Sequence, residues 1–181
     1  MADFPERPTL ARGTLRLLLL GSVEYGGAGC FCPTSSDLRE LVHHGMLSQG
    51  EVVLLDLCAG VEHLGRATAD SVDVMLVVAG PNPRSISIAH QVRRMALEIG
   101  IERLLLVGNG IRDDADAVYF MNGAKEFQVA GLVYASAQAL AAERAGQTLY
   151  SADPFAAAEI SAIADAIQST RYSHPLGGAA N

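Results

Sequence analysis

The 181 residues are half apolar, with a formal net charge of −7 and a pI near 5.1. That is enough chain for one α/β-sized domain with a sizeable core, and the acidic balance leaves no basic face for a nucleic acid. The longest compact apolar run, Leu17-Leu18-Leu19-Leu20, is far short of the roughly 20 residues that span a bilayer, and Asp3, Glu6 and Arg16 break up what a signal peptide requires, so the expected compartment is the cytoplasm.

In chain order, Leu15 to Gly21 reads as a short apolar strand, followed by a turn through Gly26, Gly27 and Gly29. Pro33 and Thr34 open a helix that stops at Gly45. Glu51 to Leu57 is a second apolar strand, closed by Asp56 and a turn at Ala59-Gly60. Asp73 to Ala79 is a third. The clearest helix follows, with Ser85 as its expected cap, Ile88, Ala89, Val92, Met95, Ala96 and Ile99 at helical spacing, and Gly100 as its stop. Arg103 to Asn109 is a fourth strand and Phe127 to Tyr134 a fifth. Helices near 136–145 and 154–170 complete a single domain over 1–174, with a flexible tail at 175–181.

Strands apolar on both faces, alternating with helices, predict an α/β fold with a mostly parallel sheet flanked by helices. Such sheets bind ligands at the carboxyl ends of their strands. Here those ends carry Asp56 to Gly60, Gly80 to Pro83, and Gly108 to Gly110. An aspartate closing an apolar strand suits a magnesium or switch carboxylate in nucleotide hydrolases, and equally suits a turn or a helix cap.

The three cysteines, Cys30, Cys32 and Cys58, cannot all pair within one chain. In a reducing compartment they read as ligands, reactive thiols or buried small side chains.

Three strings in this order, Gly26-Gly27-Ala28-Gly29-Cys30-Phe31-Cys32-Pro33, Asp56 to Gly60, and Val61-Glu62-His63-Leu64-Gly65-Arg66-Ala67-Thr68, resemble the CooC-type nickel-maturation ATPases of carbon monoxide dehydrogenase. That family lies within the MinD and nitrogenase-iron-protein group of P-loop proteins. The likeness covers nearly the whole chain but only the rear portion of a family member. It implies that Cys30 and Cys32 of two protomers hold one metal ion, Ni(II) or Zn(II), across a homodimer. It also implies that Asp56 and Gly60 belong to the magnesium and switch segment, that Asn109 contacts the adenine, and that the client is a nickel enzyme such as carbon monoxide dehydrogenase. Physical chemistry is compatible with the shared site: alternate residues of an extended chain point to one side, two thiolates are half of a tetrahedral soft-metal site, and a two-fold axis doubles them. The alternative is that both thiols pack beneath the glycine turn.

His43, His44 and His63 are weaker candidates, better suited to helix-end contacts and to a switch segment, and His90 and His174 read as surface residues. Two departures from the family stand out. Gly110 follows Asn109 where relatives carry Lys, and Cys58 replaces a commonly acidic residue.

The largest departure is the phosphate loop. Gly-x-x-x-x-Gly-Lys-Ser/Thr is missing, and the one lysine, Lys125 in Asn122-Gly-Ala-Lys-Glu-Phe127, has neither the glycines nor the hydroxyl of such a loop. The expectation is an incomplete P-loop fold that does not hydrolyse ATP by itself. ATP and magnesium then enter only if another chain supplies the loop. Alternatives are a regulatory partner of a complete ATPase, or a truncated product of an ordinary one. The strand that carries the loop normally sits mid-sheet, so its absence leaves strand edges open to another chain.

Overall fold

The computed structural model describes residues 10–17, 52–57 and 72–171. They fall in two units that divide after Ser71, and each is taken by itself.

In the first unit, β1 (Leu10–Arg12) and β2 (Leu15–Leu17) form an antiparallel hairpin with Leu10 opposite Leu17. A parallel strand from Leu15 to Gly21 was the expectation. Leu15–Leu17 instead turns back on its immediate neighbour, because a two-residue link with Gly13 at φ +60° favours local pairing. Residues 18–21 lie outside the described residues. The expected strand at Glu51 to Leu57 is also not found: residues 52–57 have no regular structure, and Val52, Val53 and Leu54 are 71%, 54% and 84% exposed. A strand exists only where a neighbour accepts its ladder bonds, and this run has none among the described residues.

The second unit is an α/β sheet with strand order β3-β4-β5, all parallel: β3 (Met75–Ala79), β4 (Leu104–Ile111) and β5 (Gln128–Tyr134). Helix α1 (Pro83–Glu98) joins β3 to β4, and α2 (Asp114–Gly123) joins β4 to β5. Short α3 (Ala139–Arg144) and α4 (Leu149–Ala152) lead to α5 (Pro154–Arg171).

The α1 boundaries follow from local chemistry. The cap is Asn82, not Ser85: its Oδ1 accepts the Ser85 N–H at 2.9 Å, and Pro83 takes the first helical position, where a missing N–H costs nothing. At the other end Gly100, as expected, stops the helix. Its N–H donates to the Leu97 carbonyl while that of Ile101 donates to Ala96, and Ile101 is buried behind the turn.

Helix α2 was not expected from periodicity. Its start is nonetheless written in Asp113, whose Oδ1 accepts the Asp116 N–H at 2.8 Å, with Asp114 and Asp116 in the first turn. Thr148 caps α4 in the same way, through Ser151 N–H.

The core lies between the sheet and the α1–α2 layer. Val77, Ala79, Leu106 and Ile111 of the sheet meet Ala89 of α1 and Phe120 of α2. Phe120, Leu105, Leu106 and Ile111 are fully buried, each worth about 1.5–3 kcal/mol of transfer free energy. Phe120 reaches this depth because residue 108 is glycine: a Cβ there would sit 2.5 Å from Leu132 Cδ2 and 3.0 Å from Phe120 Cε1. On the other face α5 packs on β5, bringing Ile163 against Gly131.

Candidate functional site

The carboxyl ends of β3, β4 and β5 form one rim, and the loops there carry Asn82, Arg112, Asp113, Ser136 and Gln138. From β3 the chain passes through Gly80 and Pro81 to Asn82, which is committed to capping α1. Next to it, Asn109 stands exposed near the end of β4, its carbonyl oxygen 3.6 Å from where a Cβ on Gly80 would lie. Gly110 has φ +75°, and the β4–β5 register steps from Asn109↔Val133 to Ile111↔Tyr134. Gly110 is therefore the extra residue of a β-bulge in the left-handed region, where glycine is favoured. That gives a backbone reason for glycine at the position where the resemblance leads one to expect lysine.

Beyond the bulge, Arg112 closes a fork on Asp116, with Nε–Oδ2 at 2.6 Å and Nη2–Oδ1 at 2.9 Å, while its backbone N–H also donates to Oδ2. The Arg112 hydrogen bonds hold the Asp116 carboxyl below the usual carboxylate range, and Asp116 in turn raises the guanidinium. Bidentate charge-assisted pairing of this kind fixes geometry as well as charge. It pins the loop between β4 and α2.

At the end of β5, Ser136 Oγ donates to Asp153 Oδ2 at 2.5 Å, and Asp153 Oδ1 accepts the Phe155 N–H at 2.9 Å. The Ser136 hydroxyl is the main cause that lowers the Asp153 carboxyl, followed by the backbone donors. Asp153 is buried. It ties the loop after β5 to the first turn of α5, and Glu159 adds a second tie by accepting the Tyr134 N–H at 3.1 Å. Together with Gln138 and Phe155 these residues line a cavity of about 250 Å³ at the rim. A larger hollow of about 390 Å³ lies between α3 and α4, lined by small and amide side chains such as Ala142 and Gln147 without a charged group.

Of the sequence-based candidates, only Asn109 lies on this rim among the described residues. Asp56 is exposed in an irregular segment rather than at a strand end. Cys30, Cys32 and Gly60 lie outside the described residues, as do Cys58, His43, His44, Glu62, His63, Arg66 and His174. His90 is half-exposed, with Nε2 3.1 Å from the Gly123 carbonyl and its ring 4.9 Å from Phe127, a link between α1 and the end of α2. Among the described residues no cluster of three His, Cys, Asp or Glu could hold a metal ion, and no helix is long and apolar enough to cross a membrane.

Lys125 is exposed in the turn that leads from α2 into β5. A helix between parallel strands returns the chain to their amino ends, so the single lysine stands at the end of the sheet away from the rim.

Sequence reasoning missed the Arg112–Asp116 and Ser136–Asp153 pairs. Asp113-x-x-Asp116 and Asp153-Pro154 were readable as helix starts. The Ser136 contact spans 17 positions and has no local signal.

No family model matches the chain. It is 32% identical over 152 residues to the carbon monoxide dehydrogenase accessory protein CooC of Rhodospirillum rubrum, covering 84% of this chain and 58% of that protein. It is 43% identical over 102 residues to an uncharacterised ATP-binding protein of Methanocaldococcus jannaschii, covering 56% of this chain and 40% of that one. The chain thus spans only about half the length of the curated relatives it matches. Among solved structures, the MinC:MinD cell division complex of Aquifex aeolicus aligns with a TM-score of 0.55 at 15% identity, over 82% of this chain and 63% of that one. That likeness speaks for the fold alone. The 181 residues are therefore homologous, over most of their length, to the CooC-type carbon monoxide dehydrogenase accessory proteins, on an α/β fold of the MinD kind.

Proposed function

We propose that the chain is a cytoplasmic metal-handling maturation factor whose Cys30 and Cys32 thiolates, doubled across a homodimer, carry one Ni(II) or Zn(II) ion toward a nickel enzyme such as carbon monoxide dehydrogenase. The observation that carries this is the 32% identity to a carbon monoxide dehydrogenase accessory protein over 84% of the chain. The Cys-x-Cys spacing adds chemical sense. Two soft thiolates from each protomer complete a tetrahedral site that neither could build alone. The metal is cargo, so the site must release it as well as bind it.

Nucleotide enters this reading only where a phosphate loop is supplied from outside these 181 residues. Asp56, Gly60 and Asn109 are then the magnesium, switch and adenine contacts of an ATP site that lacks its phosphate-binding part. A second reading, a non-catalytic partner that modulates a complete ATPase, is favoured by one observation, the solitary lysine at the wrong end of the sheet.

The test is a titration of the reduced chain with Ni(II) and with Zn(II), beside a Cys30→Ser/Cys32→Ser double variant, followed by mass in solution. The reading predicts about one ion per two chains and metal-dependent dimerisation in the wild type, with both lost in the variant. Equal uptake by the two proteins contradicts it.

A further inference from the structure

We draw no further inference here: the strongest candidate, the cavity of about 250 Å³ between the loop after β5 and the first turn of α5, lined by Ser136, Asp153, Phe155 and Glu159, belongs to the site already described, on the same rim as Asn109, and adds no ligand chemistry to it.

Discussion

Three runs in this chain have almost the same composition and quite different fates. Leu105 to Val107, at the heart of β4, is buried, with Leu105 and Leu106 at 1% and 0% exposure. Met75 to Ala79, beside it, is covered on one face and, among the described residues, paired along one edge only; Val77 is 9% exposed and Val78 is 62%. Val52 to Leu55 has no ladder, and Leu54 is 84% exposed. A run of apolar residues states that a strand needs cover on both faces and a neighbour on both sides. It does not state who provides them. Among the described residues β4 finds all of this inside the second unit, β3 finds half, and the third run finds none.

That contrast can be sharpened by mutation, starting at the centre. Phe120→Ala leaves a cavity between α2 and the sheet and should cost about 3–5 kcal/mol in urea or guanidinium unfolding of the chain. Gly108→Ala drives a methyl group into Leu132 and Phe120, with an expected loss of about 1–3 kcal/mol. A smaller effect, about 1 kcal/mol, belongs to Asn82→Ala, which removes the cap of α1. Ser85→Ala, in which only the backbone N–H serves the cap, should change stability by less than about 0.5 kcal/mol. Equal losses for the two would show that the cap is misassigned.

At the edge, Val78→Thr should be nearly silent, within about 0.5 kcal/mol, because that side chain is already in water. Its counterpart Val107→Thr buries a hydroxyl on the covered strand and should cost about 1–3 kcal/mol. If the two cost the same, the difference drawn between β3 and β4 is wrong.

Acid titration probes the rim. Asp116 and Asp153 have carboxyls held below their ordinary values by Arg112 and by Ser136 respectively. Their stabilisation is present above the unfolded-state value of about 3.9 and is lost as pH falls through the lower folded-state values. Unfolding curves between about pH 5 and pH 2 should therefore show stability falling with pH, and less steeply in Asp153→Asn and Asp116→Asn. An unchanged slope in both variants would mean that neither tie holds in solution.

Much of the second unit was legible in the sequence. Strands β3, β4 and β5, helix α1 and the stop at Gly100 follow from runs, spacing and a glycine. Helix α2 was missed because its apolar residues, Ala117, Val118, Phe120 and Met121, do not sort to one side, and Val118 and Met121 are exposed. Only the Asp113 cap announces it. The expected strand at 51–57 failed for a different reason. Its apolar run was read as a strand, yet a ladder also needs a partner strand, which no local pattern reveals. Of the rim, Asn109 and the glycines near it were readable, whereas the Ser136–Asp153 tie joins distant segments and carries no short-range mark.

The central claim concerns Cys30 and Cys32. X-ray absorption of the zinc-loaded, reduced chain measures their role most directly, because it counts the sulfur atoms around the ion. The account predicts four sulfurs at about 2.3 Å, two from each protomer. A shell dominated by nitrogen and oxygen, or one unchanged in the Cys30→Ser/Cys32→Ser variant, would contradict it.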